Sequence, residues 1–185
     1  DEAGCTLGDI SAANRLVEME FVLPFAPLQC ETLNRLLREY DPLAQRAGDL
    51  WFDQVQGMLK GYIDLTFRHQ GRYYILDYKS NHLGNQSDDY QPQALQLAMI
   101  DHRYDLQYVL YTLALHRLLK NRLPDYDYEQ HIGGVYYLFL RGMGQGSRNG
   151  IFYTKPSLAL IEALDRLFVE GCIEGSVESS AEARV

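Results

Sequence analysis

The sequence predicts an α/β domain built on a mixed sheet, and three features lead to that reading. Two strand-like runs, Met58–Phe67 and Tyr73–Tyr78, flank the turn His69-Gln70-Gly71-Arg72. The run Val135–Arg141 is nearly continuous in apolar residues, the mark of a strand buried on both faces. Helical periodicity covers Tyr104–Leu119 and Pro156–Phe168. The chain has 185 residues, of which 46% are hydrophobic. That is enough for one domain with a real core, since domains hold roughly 100–200 residues.

Taken in order, residues 1–14 are small and polar and read as a loose end. Leu16–Phe25 alternates in part, with Val17, Met19, Phe21 and Leu23 against Glu18 and Glu20, and reads as a strand stopped by Pro24 and Pro27. Leu28–Tyr40 carries Leu33, Leu36 and Leu37 ahead of Pro42 and reads as a short helix. In Met58–Phe67 the apolar face is Leu59, Ile63, Leu65 and Phe67, and the turn after it joins Tyr73–Tyr78 in a hairpin. Asn81–Asp89 is polar, with Gly84, Asn85 and Ser87, and is expected to be a mobile loop. Tyr104–Leu119 is a helix ended by Asn121 and Pro124, and Gly142–Gly150, with four glycines, is a loop. The last helix turns Leu160, Ile161, Leu164 and Phe168 inward, and from Glu174 the chain is expected to fray. The expected organisation is a loose segment over 1–15, one domain over 16–173 and a tail over 174–185. The chain opens on Asp1-Glu2 rather than methionine, which suits a piece of a longer polypeptide.

The net charge is −8, which excludes a generically basic nucleic-acid coat protein. The acidity lies in the flanks, however. Residues 57–156 hold eleven basic and nine acidic side chains, so a polyanionic substrate remains compatible with the middle of the chain. No apolar run approaches the ~18 residues of a membrane helix, and no signal peptide is visible. Cys5, Cys30 and Cys172 form no Cys-x-x-Cys pair, which argues against a structural zinc site or disulfide framework and for a reduced, cytoplasmic setting.

The chemistry concentrates in Gly61-Tyr62-Ile63-Asp64 and, after the turn, Ile75-Leu76-Asp77-Tyr78-Lys79-Ser80. Asp64 and Asp77 sit inside strands among apolar residues, where a carboxylate is costly unless paired or bound to a cation. Two such groups converging repel each other and favour a hard divalent ion. Lys79 follows Asp77 by two, so both side chains share a face. Carboxylates that hold Mg²⁺ beside an ammonium are what phosphodiester hydrolysis requires. The same Asp-x-Lys spacing also describes a surface ion pair; the apolar frame of Ile63, Leu65, Ile75 and Leu76 argues against it. On the helix, Gln107 and Tyr111 are four apart and share a face that Tyr104 and Leu115 extend, whether as a hydrogen-bonding pair or as polar tips of a core helix. Arg68, Arg72 and Arg103 are candidate phosphate grips or solvated surface charges. His82 and His102 could approach a metal or face solvent. Trp51 and Phe52 could be a stacking platform for single-stranded DNA or packing residues.

Gly-x-x-Asp, Asp-x-Lys thirteen residues on, and Gln-x-x-x-Tyr on a following helix together resemble the RecB-like nucleases, a branch of the restriction-endonuclease-like PD-(D/E)xK superfamily. The stretches LKGYIDLTFRHQGRYYILDYKSNHLG, HRYDLQYVLYTLALHRLL and YDYEQHIGGVYYLFLRGM resemble the C-terminal nuclease domains of the RecB (exodeoxyribonuclease V beta subunit) group, and the likeness spans Glu18–Phe168. The resemblance implies a restriction-endonuclease-like mixed sheet flanked by helices. It implies Asp64 and Asp77 as metal-binding acids, the Tyr78 carbonyl completing the shell of Mg²⁺ or Mn²⁺, and Lys79 as the catalytic lysine. Gln107 and Tyr111 would support the site and contact DNA. Glu20 or its neighbour Glu18 would be an upstream acid, with Glu20 preferred here. The family also uses a histidine upstream of the first acid, whereas His69, His82, His102, His116 and His131 all follow Asp64. That ligand is expected outside this chain or not at all.

The activity so implied is that of a metal-dependent DNA exonuclease in bacterial cytoplasm. It would cut single strands fed to it by the helicase part of its parent chain, with RecC and RecD, during double-strand-break repair and recombination. No GxxxxGK[ST] loop occurs, consistent with ATP being spent elsewhere in the parent. The alternative is a nuclease-fold docking module, for instance for RecA. A two-carboxylate glycosidase is disfavoured by the lysine beside the acids.

Overall fold

The computed structural model describes residues 6–144 and 147–171. The expected tail from Glu174, and Cys5 and Cys172, lie outside them. Five strands form one sheet in the order β1-β2-β3-β4-β5: β1 (Arg15–Leu28), β2 (Val55–His69), β3 (Arg72–Lys79), β4 (Ile132–Phe139) and β5 (Ile151–Thr154). All pairings are antiparallel except β3 with β4, so the sheet is mixed, as expected. The helices are α1 (Cys30–Tyr40), α2 (Pro92–Asp101), α3 (Tyr104–Arg122), the short α4 (Tyr128–His131) and α5 (Leu158–Glu170). They join the sheet in one main core, and none among the described residues is long and apolar enough to cross a membrane.

The β2–β3 hairpin closes through Gln70 (φ +49°) and Gly71 (φ +81°), two left-handed residues whose twist matches that of the strands. β4 is buried along almost its whole length. It begins at Ile132 rather than Val135, because Gly133 and Gly134 leave room for the rings of Tyr74 and Tyr153. It ends at Phe139, since Leu140–Gly142 turns as a short 3₁₀ helix.

Several expectations give way. β1 runs through Pro24 and Pro27 to Leu28, because an edge strand tolerates residues without an N–H. The segment expected to be loose at the start makes two 3₁₀ turns, and Ile10 packs with Leu65, Phe67, Leu76 and Leu138 on the outer face of the sheet. Asn81–Asp89 is held rather than mobile. The buried Tyr90 hydroxyl accepts the Leu83 N–H at 3.2 Å and lies 3.4 Å from the Asn81 and Gly84 carbonyls, while Asn149 Nδ2 donates to the Ser87 carbonyl. α2 was not expected, although Pro92 at its start and the buried Leu95, Ala98 and Met99 mark it.

α3 is the central helix, and its placement fixes the site. It is capped at its start by Arg103, whose backbone is left-handed (φ +53°). The Arg103 guanidinium donates twice to the fully buried Asp105, at 3.0 Å each, and once to the Gly48 carbonyl. One turn further on, the Tyr108 hydroxyl donates to Asp41 at the end of α1, and Asp41 also accepts the Leu43 and Ala44 N–H groups. Buried polar groups in this position need all of these partners.

Candidate active site

Asp77 and Lys79 point from β3 toward α3, as alternation requires. Lys79 Nζ lies 2.6 Å from Asp77 Oδ2, with the two side chains only 11% and 5% exposed. The ammonium also donates to Gln107 Oε1 at 2.9 Å. Gln107 Nε2 donates to the Tyr111 hydroxyl at 2.8 Å, and that hydroxyl lies close enough to Asp77 for each to shift the other's ionisation. Asp77, Lys79, Gln107 and Tyr111 thus form a connected polar network, with Gln107 and Tyr111 one turn apart on α3.

Asp64 reaches the same place by a break in the strand pattern. The β2–β3 ladder ends at Leu65 opposite Leu76, one residue short of the two aspartates. Beyond it Asp64 Oδ2 replaces a strand carbonyl as acceptor for the Tyr78 N–H, at 2.9 Å. Ile63 belongs to the main core and Leu65 to the outer-face cluster, so the alternation of β2 breaks across Asp64. Glu18 lies between Val17, paired with Leu65, and Met19, paired with Ile63, in a left-handed conformation (φ +51°) unusual for a residue other than glycine.

Burial pushes the Asp77 carboxyl above the usual carboxylate range and the Asp64 charge adds to the rise, while Lys79 and Tyr111 pull against it. The Tyr111 hydroxyl is pushed up to about 12, first by burial and then by the Asp77 charge, so it remains a protonated donor at neutral pH. An environment that resists ionisation of one carboxyl beside a second is one that a hard cation would relieve. The donors at hand, Asp64, Asp77 and the main chain between Asp77 and Lys79, are all oxygens, which fits Mg²⁺. No cluster of three or more His, Cys, Asp or Glu suited to a metal occurs among the described residues, and Mg²⁺ commonly uses one or two carboxylates with water and phosphate.

Other candidates lie elsewhere. The Glu20 carboxylate is on the outer face of β1, opposite the buried Met19, Phe21 and Leu23, and takes Tyr62 Oη at 2.9 Å and Lys60 Nζ at 2.9 Å. It is not brought to Asp77 and Lys79; of the two acids, Glu18 is the one between the pairs Val17–Leu65 and Met19–Ile63 that bracket Asp64. Arg103 is occupied by Asp105 and Gly48 and is a helix anchor rather than a free phosphate grip. Arg68 and Arg72 sit at the hairpin turn, away from the aspartates, with Arg68 over the Tyr73 ring. His82 bonds Asn85, and His102 stacks on Tyr104. Trp51 is 92% exposed, whereas Phe52 packs on the main core, so the two do not act as one platform.

Two tyrosines join the site that the motif does not contain. Tyr137, opposite Asp77 on β4 and fully buried, donates to Gln107 Oε1 at 3.0 Å, and Lys79 Nζ lies 3.9 Å from the Tyr104 ring centroid. Tyr104 extends the helix face already read from the spacing; Tyr137 carries no sequence signal beyond its place in an apolar strand. Beside Gln107 and Tyr111 a cleft of about 270 Å³ opens between β2 and α3, floored by Phe21, Leu59, Leu106 and Leu110.

Comparison with known proteins places this geometry. Residues 12–182 match the PD-(D/E)XK nuclease superfamily. The chain is 54% identical over 176 residues to the RecBCD enzyme subunit RecB of Escherichia coli, covering 94% of this chain and 15% of that protein. It is 45% identical over 169 residues to RecB of Haemophilus influenzae, covering 91% of this chain and 14% of that one. For RecB of Mycobacterium tuberculosis the identity is 36% over 198 residues, covering 93% of this chain and 18% of the relative. The chain therefore spans a minor part of the curated relatives it matches.

Gly61, paired with Phe21 across β1–β2, has a physical reason to be glycine. A Cβ there would stand 2.6 Å from the Phe21 ring, which packs edge-on against Tyr111 at 5.6 Å. Gly61→Ala is expected to cost about 1–3 kcal/mol in urea unfolding through overpacking. An unchanged midpoint would contradict this contact.

Proposed function

The chain belongs to the PD-(D/E)XK nuclease superfamily, and we propose that it hydrolyses phosphodiester bonds of DNA with Mg²⁺, for which Mn²⁺ can substitute. The observation that carries the proposal is the network of Asp77, Lys79, Gln107 and Tyr111, with the Asp77–Lys79 pair buried, beside Asp64. Asp64, Asp77 and the Tyr78 carbonyl would hold the cation, which when bound polarises the phosphoryl oxygen and acidifies water. Hydrolysis adds water across a P–O bond: a new bond forms to phosphorus, the bond to the leaving oxygen breaks, and that oxygen gains a proton. Lys79, whose charge is fixed rather than free to wander, stabilises the negative charge that builds on the phosphoryl oxygens. Gln107 and Tyr111 hold Lys79 and Asp77 at their relative positions before substrate arrives. Glu18, on β1 between the pairs that bracket Asp64, is the preferred upstream acid.

The substrate proposed is single-stranded DNA, one base resting on the apolar floor beside Gln107 and Tyr111. By its likeness to RecB subunits, the chain would act inside a larger bacterial cytoplasmic enzyme with RecC and RecD. Its helicase part would deliver the strand during double-strand-break repair and recombination, as in exodeoxyribonuclease V. A docking role, for instance for RecA, is compatible with the same fold.

End-labelled single-stranded DNA is expected to be cut with Mg²⁺ and not with EDTA, and Asp77→Ala and Lys79→Ala are each expected to lose about 10²-fold or more in rate. Variants that cut as well as the parent would contradict the site. No cutting by the parent chain or by the complete polypeptide that carries it would favour the docking role.

The raised Asp77 carboxyl also sets a pH dependence. A cation requires the carboxylate, so a proton competes with it at higher pH than at a surface aspartate. Mn²⁺ affinity measured by calorimetry is expected to weaken on acidification before the ordinary carboxylate range, near pH 4, is reached. Affinity that stays constant down to that range would contradict it.

A further inference from the structure

Lys79 is held more completely than its partnership with Asp77 requires. A lysine side chain is long and flexible, and its ammonium has three donors and no acceptor. Here one faces Asp77 Oδ2 and a second Gln107 Oε1. The remaining side of the ammonium meets the Tyr104 ring, whose centroid is 3.9 Å away, with the Tyr137 ring at 5.2 Å. A ring face attracts a cation, and most strongly where water is excluded.

The two rings are themselves fixed. Tyr104 stacks on Tyr137, with centroids 5.7 Å apart and planes 24° from parallel, and carries His102 on a ring contact of 5.3 Å. Its hydroxyl donates to Asn81 Oδ1 at 3.2 Å, tying the ring to the chain just beyond Lys79. Tyr137 is packed edge-on by Tyr108 and Phe152 and donates to Gln107 Oε1 at 3.0 Å. Gln107 Oε1 thus accepts from both Lys79 and Tyr137. That leaves its NH₂ group for Tyr111, and fixes which way round the amide sits.

We propose that Tyr104 and Tyr137 are positioning residues that form an aromatic seat for Lys79. The Tyr104 ring holds the ammonium against Asp77 and Gln107, and the Tyr137 hydroxyl orients the amide that Lys79 meets. The seat rests on the nuclease reading only for its effect on rate, because the placement of Lys79 can be read without any reaction.

Two measurements test it. In NMR spectra of the 185-residue chain, the ring current of Tyr104 should move the Lys79 ε-methylene protons upfield of those of Lys120. The shift should persist in Tyr104→Phe and shrink markedly in Tyr104→Leu, where only the more distant Tyr137 ring remains. Lys79 protons at the position of Lys120 would overturn the seat, whatever the activity. In DNA cleavage, Tyr104→Leu should lower kcat about tenfold with KM unchanged, and Tyr104→Phe should restore most of the rate. Tyr137→Phe, which keeps the ring and loses the hydroxyl, should lower kcat and leave KM unchanged. Equal losses in Tyr104→Phe and Tyr104→Leu would assign the effect to the Asn81 hydrogen bond and overturn the ring's role. An upfield Lys79, with no DNA cutting by this chain or by the complete polypeptide that carries it, would uphold the seat and refute the nuclease reading instead.

Discussion

The ion pair between Asp77 and Lys79 is the constraint on which the rest of this structure turns. Both side chains are almost wholly removed from water. Two charges in that position repay their lost hydration only when geometry is good and every remaining donor and acceptor is met. The fold meets them from three directions: β3 brings the pair itself, α3 brings Gln107 and Tyr111, and β4 brings Tyr137. None of these elements can shift without leaving a buried charge unpartnered.

That requirement accounts for polar anchors far from the pair. α3 can offer Gln107 and Tyr111 only if its start and its height over the sheet are set. Arg103, Asp105 and Gly48 set the start, and the Tyr108–Asp41 bond sets the helix against the end of α1. The parallel pairing of β3 with β4 puts Tyr137 opposite Asp77. The end of the β2–β3 ladder frees Asp64 to turn its carboxylate toward the Tyr78 main chain. Burial and Asp64 both resist the ionised Asp77, an arrangement that a cation would relieve.

Much of this was legible because it follows from regular periods. Two-residue alternation put Asp77 and Lys79 on one face, and four-residue spacing put Gln107 and Tyr111 together. The hairpin was readable from Gln70-Gly71 between apolar runs. What failed to show is where the period breaks. Alternation in β1 puts Glu18 and Glu20 on one face and cannot choose between them, nor does it show the left-handed Glu18 or the face change at Asp64; the preferred Glu20 faces outward. Tyr137 belongs to an apolar run, and only strand pairing puts its hydroxyl on Gln107. Arg103 resembles any exposed cation until the local turn brings Asp105 and Gly48 to it. Partners set by tertiary pairing leave no mark in local sequence.

A double-mutant cycle between Lys79→Met and Gln107→Leu, read by urea unfolding, tests most directly whether the Asp77–Lys79–Gln107 network acts as one unit. If it does, the two losses are non-additive, with a coupling of about 1 kcal/mol or more, as befits contacting members of a buried network. Losses that add to within about 0.3 kcal/mol, as independent sites do, would mean that Lys79 and Gln107 are merely neighbours.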